Sequence, residues 1–279
     1  MVISELDSKR RTPEDMKSAT KTILSIVLPA LNEEEAIGGT IQAIPAEELS
    51  KMGYEVEILV VDNGSTDRTA EVARRHGAEV IHESRRGYGR AYKTGFKHAR
   101  GDVIVTIDAD MTYPVEDIPK LVNTLEEEDL DFITTNRFAY LQNGAMSLQH
   151  RLGNNILTLA TRLLFRINLK DSQSGMWVFR KGLLSEMALK SDSMAFSQEL
   201  KIEACHFTGC RWREISIVYR ARVGRVKLRT LRDGFGNLFR LVIKRVARHD
   251  LPATASSPFV RLARIGMSLV NTSMSWVDK

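Results

Sequence analysis

The chain has 279 residues, of which 43% are hydrophobic and 27% are charged, and its formal net charge is +5. These fractions exclude a disordered, collagen-like or coiled-coil protein, and the length suffices for one large α/β domain with an appendage. Two cysteines, Cys205 and Cys210, are too few for a disulfide framework and predict a reducing compartment.

The positive charge is concentrated in the last quarter of the chain. Residues 211–279 carry 15 Lys and Arg against 4 Asp and Glu, whereas residues 1–210 carry 25 against 31. The basic quarter predicts an anionic partner, although a solvated positive face explains it equally well. Residues 1–22 are polar, unlike a signal peptide, and no run approaches the roughly 18 apolar residues that span a bilayer. We therefore expect a protein that is soluble or attached to a membrane surface without crossing it.

Short apolar runs alternate with helical patterns in the first half of the chain. Strands are predicted at residues 23–28, 57–61, 78–83, 103–107 and 132–135. Helices of about ten residues between them indicate βαβ units and a mostly parallel sheet.

The second half predicts an amphipathic helix over residues 146–166, followed by two apolar elements at 175–180 and 215–223 and by a basic helical tail. The apolar positions of the amphipathic helix are 148, 152, 156, 159 and 163. Near the start of the chain, Asn32 and Glu35 are spaced as a capping box and predict a helix beginning there.

Three of the apolar strands end in distinctive polar segments: LPALNE at 28–33, VVDNGSTD at 60–67 and TIDAD at 106–110. The carboxyl ends of parallel strands lie at one edge of a sheet, where ligands of open α/β folds bind. We therefore expect one pocket rather than three separate sites.

Asp108 and Asp110 lie on one side of an extended segment, and two such carboxylates suit Mg²⁺ or Mn²⁺ bridging a diphosphate. A strand-end turn capped by aspartates is the structural alternative. Asp62 is a candidate contact for a nucleotide base or ribose, with an Asx-turn at Asn63-Gly64 as its alternative. Gly89 would let the backbone approach a ligand, or simply belong to a loop entering a helix.

LPALNEE, VVDNGSTD, RGYGRAYKTGF and DADMTYP, in this order and spacing, resemble family 2 glycosyltransferases of the GT-A fold. The likeness is to the polyprenyl-phosphate branch and covers roughly residues 23–230. It implies a Rossmann-like, mostly parallel sheet flanked by helices over residues 23–230. A polar tail (1–22) would precede this catalytic domain, and a basic amphipathic extension (231–279) would follow it.

The resemblance also implies the site residues. The donor nucleotide would contact Pro29, Ala30, Asn32, Glu33, Asp62, Gly89 and Asp108, and the metal would bind Asp108 and Asp110. Further catalytic residues, which would grip the acceptor phosphate, would be Arg137, Arg151, Arg222 and Lys227.

The implied reaction is metal-dependent, inverting transfer of a hexose or N-acetylhexosamine from a nucleotide sugar to a polyprenyl phosphate. The chain departs from mannosyl enzymes at Thr112, at DSQSGMW (171–177) and at Arg225, which argues against GDP-mannose. The TYP segment after DAD resembles members that use UDP-sugars, so a UDP-sugar is favoured. The implied location is the cytoplasmic face of a membrane, attached to its anionic surface or to a membrane subunit, with no nucleic acid as partner.

Two alternatives remain at this stage. A glycosyltransferase acting on a hydroxyl acceptor would need a general base, for which Asp171 is the candidate. A non-enzymatic nucleic-acid-binding protein is supported only by the basic tail, because no RNP, KH or helix-turn-helix pattern is present.

Overall fold

The structure is a computed structural model that describes residues 22–224 and 230–247, with side chains of the last helix described for residues 236–245. Four features of the sequence lie outside these residues: the predicted polar tail up to residue 21, Arg225, Lys227, and the segment after residue 247.

Seven strands form one sheet. In chain order they are β1 (Thr22–Ala30), β2 (Tyr54–Asp62), β3 (Glu79–His82), β4 (Val103–Thr106), β5 (Phe132–Leu141), β6 (Trp177–Arg180) and β7 (Trp212–Tyr219). Their order across the sheet is β3-β2-β1-β4-β6-β5-β7. All neighbouring strands are parallel except β6, which is antiparallel to both β4 and β5. The predicted mostly parallel α/β sheet is confirmed.

Eight α-helices accompany the sheet within the described residues. They are α1 (Ile37–Gln42), α2 (Ala46–Lys51), α3 (Thr69–Arg75), α4 (Tyr88–His98), α5 (Ile118–Glu127), α6 (Leu148–Phe165), α7 (Phe196–Ile202) and α8 (Thr230–Ala247).

Hydrophobic cores lie on both faces of the sheet, which explains why its central strands are almost continuously apolar. Alternate side chains of β1 enter different cores: Ile26 packs in the core that includes α1 and α5, and Val27 in the core that includes α4 and α7. A third, smaller core joins α6, α7 and α8 around Leu157, Phe165 and Leu241. The sheet is thus held rigidly from both sides, and its carboxyl edge stays open.

The predicted amphipathic helix is present as α6, but its apolar positions face outward. Its buried residues are Leu157, Thr158, Thr161 and Phe165. The five positions that carry the apolar periodicity are between 50% and 83% exposed: Leu148, Leu152, Ile156, Leu159 and Leu163.

The predicted capping box is wrong. The first helix begins at Ile37, and no side chain caps its N-terminus. Asn32 has a φ of 51°, and its Oδ1 accepts the backbone N–H of Thr66 at 2.7 Å. Asn32 therefore ties the loop after β1 to the loop after β2, because its left-handed backbone turns the side chain to the neighbouring strand end.

Among the described residues, no helix combines the length and the apolar character required to cross a bilayer.

Candidate active site

A cavity of about 450 Å³ opens at the carboxyl edge of the sheet. Parallel pairing sets Ala30 at the end of β1 beside Asp62 at the end of β2, and β4 ends on the other side of β1. The cavity wall comes from the loops after these strands, the start of α4, one face of α6 and the loop after β7. Its charged and aromatic lining residues are Glu33, Arg86, Tyr88, Asp108, Asp110, Arg137, His150, Tyr219 and Arg222. The predicted single pocket therefore exists.

Asp108 is a carboxylate whose surroundings in the cavity disfavour its charged form. Its Oδ1 accepts a hydrogen bond from the hydroxyl of Tyr88 at 3.1 Å. Burial and the nearby charge of Asp110 raise the pKa of Asp108 to about 7, although Tyr88, Arg137 and Arg222 act in the opposite direction. A further cation close to this carboxylate, such as a bound metal ion, would lower the free energy of its charged form.

Asp110 is only 5% exposed and already has partners on both oxygens. Its Oδ1 accepts from the backbone N–H and the hydroxyl of Thr112, at 3.1 and 2.6 Å. Its Oδ2 lies 2.6 Å from Nη1 of Arg222. Thr112 therefore holds the rotamer of Asp110, which gives a structural reason for the residue at this position.

Arg222 bridges two acidic residues from different strand ends. Besides Asp110, its guanidinium contacts the carboxylate of Glu33. Its Nε is buried and has no hydrogen-bond partner among the described residues. An acceptor oxygen from a ligand would satisfy that donor, so the geometry suits an anion next to Arg222.

The acidic pair fits a divalent cation that shares its ligands with a substrate. Within the described part of the chain, no cluster of three or more His, Cys, Asp or Glu residues could enclose a metal. Mg²⁺ sites commonly use one or two carboxylates together with substrate phosphates and water, which is the arrangement that Asp108 and Asp110 offer. The raised pKa of Asp108 marks the uncompensated negative charge that such a cation would neutralise.

Asp62 has the turn role that was the alternative to base or ribose binding. Its Oδ1 accepts the backbone N–H of Ser65 at 3.0 Å, and its Oδ2 lies 3.3 Å from Nδ1 of His82. It is 6% exposed and is not among the lining residues of the cavity. The next residue, Asn63, does line it and accepts the backbone N–H of Gly87 at 2.7 Å.

The other predicted nucleotide contacts divide between the wall and its support. Pro29, Ala30 and Glu33 line the cavity, whereas Asn32 supports the loop from outside. Gly89 is buried away from the lining: a Cβ there would lie 2.5 Å from the carbonyl oxygen of Ser191. Gly89 is thus required for close packing of α4, a need that a G-x-G pattern alone does not distinguish from ligand approach.

Arg137 lines the cavity from a fixed position. Its guanidinium donates to both oxygens of Asp171, from Nε at 2.7 Å and from Nη2 at 3.0 Å, and it stacks over the ring of Tyr219. The buried Lys201 donates to the backbone oxygen of Asp171 at 2.6 Å, and burial lowers the pKa of Lys201 to about 8. Arg137 therefore presents a preoriented positive charge to the cavity.

Asp171 is unsuited to the role of general base. Burial is the largest single influence and would raise its pKa, but the charge and hydrogen bonds of Arg137, the charge of Lys201 and the backbone N–H of Gln173 together lower the pKa to about 2. The side chain is 0% exposed and both of its oxygens are bonded to Arg137. A proton transferred to this carboxylate would break a buried ion pair, so the hydroxyl-acceptor alternative loses its candidate base.

Of the remaining predicted cations, Arg151 is exposed on α6 and is not among the lining residues. Its neighbour His150 lines the cavity instead, together with Asn154 on the same helix.

Two lining residues, Tyr88 and His150, were not predicted from the sequence. Tyr88 lies between the two glycines of RGYGRA, and the G-x-G pattern points to the glycines rather than to the residue between them. Helical periodicity could have indicated His150, because it is spaced with Asn154 and Leu157 on one face.

The comparisons agree with this architecture. The family model described as "Glycosyl transferase family 2" matches residues 25–188. The low-salt glycan biosynthesis hexosyltransferase Agl6 of Haloferax volcanii is 36% identical over 217 residues, which are 76% of this chain and 51% of that protein. This chain thus spans about half the length of that relative. A dolichyl-phosphate hexose transferase of the same organism is 32% identical over 207 residues, covering 74% of this chain and 86% of the relative.

Among solved structures, glucosyl-3-phosphoglycerate synthase from Mycobacterium tuberculosis, in complex with Mg²⁺ and UDP, has a TM-score of 0.65. The two chains are 24% identical, and the match covers 80% of this chain and 79% of that one. At this identity the likeness shows the fold, which is the predicted GT-A arrangement.

Proposed function

The chain belongs to glycosyltransferase family 2, and we propose that it moves a hexose or N-acetylhexosamine from a nucleotide sugar to a polyprenyl phosphate with inversion. The single observation that carries this proposal is the content of the cavity: the acidic pair Asp108 and Asp110 lies together with the cations Arg137 and Arg222. The acids suit a metal-bound donor, and the cations suit a phosphate acceptor. Membership of an enzyme family makes the non-enzymatic nucleic-acid-binding alternative wrong.

On the donor side, Asp108 and Asp110 would hold Mg²⁺ or Mn²⁺ against the diphosphate, while Pro29, Ala30 and Glu33 face the nucleoside. When bound, the cation neutralises charge that develops on the departing nucleoside diphosphate. The structural neighbour that contains Mg²⁺ and UDP supports a divalent cation and favours a UDP-sugar. Tyr88 and Thr112 hold the two carboxylates in place for this task.

On the acceptor side, a lipid monophosphate needs no general base, because its second pKa of about 6 leaves it a dianion at neutral pH. One phosphate oxygen forms the bond to the anomeric carbon while the bond from that carbon to the diphosphate oxygen breaks. The electron pair of the broken bond leaves with the nucleoside diphosphate. Arg137, fixed by Asp171, and Arg222, with its unpartnered Nε, would orient the attacking phosphate. The relative named dolichyl-phosphate hexose transferase supports this acceptor class.

The proposal includes attachment to the cytoplasmic face of a membrane, where a polyprenyl phosphate presents its headgroup. A membrane subunit could provide the same attachment.

The test is transfer from a panel of radiolabelled nucleotide sugars to polyprenyl phosphate in detergent, followed by extraction of the lipid-linked product. We expect product from a UDP-sugar, loss of product in EDTA, and recovery with Mg²⁺ or Mn²⁺. The matched control is Asp102→Asn, which removes an exposed carboxylate just before β4 and should retain full transfer. Transfer to a free sugar hydroxyl with polyprenyl phosphate inert would overturn the acceptor, and full activity in EDTA would overturn the metal.

A further inference from the structure

The apolar stripe of α6, defined as Leu148, Leu152, Ile156, Leu159 and Leu163, is a surface that the fold leaves uncovered. Their exposures are 83%, 63%, 50%, 56% and 72%. At about 100° per residue the five positions fall within an arc of about 80°, and they extend about 22 Å along the helix. A contiguous row of large aliphatic side chains of this size is typical of an interaction surface.

The residues of α6 that carry a formal charge are all positive. The sequence of α6 contains no Asp or Glu, and Arg151 and Arg162 are exposed. On the helical projection both arginines lie within about 60° of the edge of the stripe. Arg166, which caps the C-terminus of α6, is exposed as well. An aliphatic strip with a cationic flank matches the interface between the acyl chains and headgroups of an anionic bilayer.

The opposite face of α6 is part of the cavity wall. His150, Gly153, Asn154 and Leu157 line the cavity, and on the helical projection they lie between about 100° and 160° from the centre of the stripe. The helix thus separates the cavity from the exterior by about 10 Å, one helix diameter. Whatever covers the stripe is brought within about that distance of the cavity wall that α6 forms.

We propose that the apolar stripe of α6 lies on an anionic lipid bilayer, with Arg151 and Arg162 at the headgroups and the cavity facing the lipid-linked acceptor. This inference rests on the proposed function, because the membrane contact would serve to bring a lipid-linked acceptor to the cavity. It assigns the contact to α6 rather than to the basic tail.

Two other occupants fit the charges less well. An antiparallel two-fold pairing of the stripe with a second copy would set Arg151 of one copy beside Arg162 of the other, with no acid on α6 to offset them. Residues 248–279 carry four Lys and Arg against two Asp, a balance of +2, so they also bring like charge to this flank. An anionic surface has the opposite sign.

The test is co-sedimentation of the full chain with vesicles of phosphatidylcholine, with and without phosphatidylglycerol at about 30%. The variant carries Leu152→Ser, Leu159→Ser and Leu163→Ser, three exposed positions whose change should leave the fold intact. We expect the lipid concentration for half-maximal binding to rise about tenfold or more. The matched control carries Met at the same three positions and should bind as the wild type does. Met52→Ser, an exposed apolar residue elsewhere, should also leave binding unchanged.

A second variant, Arg151→Gln with Arg162→Gln, should lose the preference for phosphatidylglycerol and the sensitivity of binding to salt. Wild-type binding by the triple Ser variant would overturn the inference. So would a dimer of the wild type, measured by light scattering, that the Ser variant dissociates. Loss of binding after removal of residues 248–279, with the Ser variant binding normally, would assign the contact to the tail and equally overturn it.

The proposed function is tested separately, by transfer to a short-chain, water-soluble polyprenyl phosphate without vesicles. The Ser variant should retain this transfer, because the stripe does not line the cavity. If the wild type makes no product in this assay but binds vesicles through α6, the proposed function fails and the membrane surface stands.

Discussion

Asp108 and Asp110 are two residues apart, yet their carboxylates have different partners. Asp110 is neutralised by Arg222 and held by Thr112, whereas Asp108 accepts a hydrogen bond from the uncharged hydroxyl of Tyr88. Burial therefore raises the pKa of Asp108 to about 7. The two arginines of the cavity also differ in their partners. Arg137 donates to both carboxylate oxygens of the buried Asp171, whereas Arg222 contacts Glu33 and Asp110, which line the cavity and are available to a ligand. Arg137 is thus fixed in place, whereas Arg222 would exchange partners if the proposed metal-bound donor engages Asp110.

Asp108→Asn or Asp110→Asn should lower turnover by about 10²-fold or more, equivalent to about 3 kcal/mol of lost charge stabilisation. The free energy of unfolding of Asp108→Asn should not fall, because the change removes a buried carboxylate whose charged form is unfavourable. Steady-state kinetics and urea unfolding measure the two effects, with Asp102→Asn as the control. A loss of activity that parallels a loss of folded protein would contradict the assignment.

Arg222→Gln should tighten binding of Mn²⁺ by the donor-free protein about fivefold, equivalent to about 1 kcal/mol, because a cation that competes for Asp110 is removed. Titration followed by electron paramagnetic resonance measures this affinity. Arg220→Gln, two residues earlier, removes an exposed pair with Glu116 and should leave the affinity unchanged. Unchanged affinity in Arg222→Gln would mean that the metal does not use Asp110.

Asp171→Asn should lower the free energy of unfolding at pH 7 by about 3 kcal/mol, because it leaves Arg137 buried without its partner. The pKa of Asp171 is lowered in the fold from 3.8 to about 2, so its contribution is present above pH 3.8 and is lost as the pH falls toward 2. The difference between wild type and variant should therefore narrow across that range.

Urea unfolding at several pH values tests the role of Asp171. The control is Glu128→Gln, which removes an exposed pair with Arg213 and should cost less than about 1 kcal/mol. A difference that stays constant between pH 7 and pH 2 would argue against the ion pair as its source.

At the scale of elements, helices α4, α6 and α8 are placed by packing that the local sequence only partly encodes. Periodicity correctly predicted a helix at α6, but the apolar positions that produced the signal are the exposed ones. The buried side is made by Leu157, Phe165 and two threonines. A helical period identifies a face but does not say whether protein, lipid or water covers it.

Gly89→Ala should destabilise the protein by about 1–3 kcal/mol, because the new Cβ would lie 2.5 Å from the carbonyl oxygen of Ser191 and 2.6 Å from Cβ of Phe196. The control is Gly236→Ala in α8, where no described atom lies within 4 Å and the change should stabilise by about 0.5–1 kcal/mol. Thermal unfolding compares the two. Equal stability of both variants would return Gly89 to the list of ligand contacts.

At the scale of the whole molecule, we propose that the catalytic unit extends through α8 rather than ending near residue 230. Leu241 is 3% exposed in the core shared with α6 and α7. Lys244 forms ion pairs with Glu199 at 3.0 Å and with Glu203, whose side chain is fully buried, at 2.6 Å. Lys244, which belongs to the basic last quarter of the chain, therefore neutralises acidic residues inside the fold and adds no free charge to the surface.

Removal of residues 248–279 should leave both the free energy of unfolding and the affinity for UDP with Mn²⁺ unchanged, because no described residue of the cavity lies beyond Asn237. Removal of everything after residue 230 should destabilise by about 3–5 kcal/mol, since the core shared by α6, α7 and α8 would lose Leu241 and Glu203 would lose its ion pair with Lys244. Urea unfolding and calorimetric UDP titration of the two shortened chains measure this. Equal stability of both would support the boundary at residue 230.

The sequence by itself determined the class of the fold, the edge of the sheet that carries the cavity, and the acidic pair. These follow from local patterns: apolar runs that must be buried, and polar residues at their carboxyl ends, which parallel pairing brings together. Only the tertiary structure decided which cations join Asp110, because Arg222 lies 112 residues further along the chain. It also showed Asp171 bound to Arg137 and directed the apolar stripe of α6 outward. Such pairings depend on side chains that meet through the whole fold, and no local period or spacing encodes them.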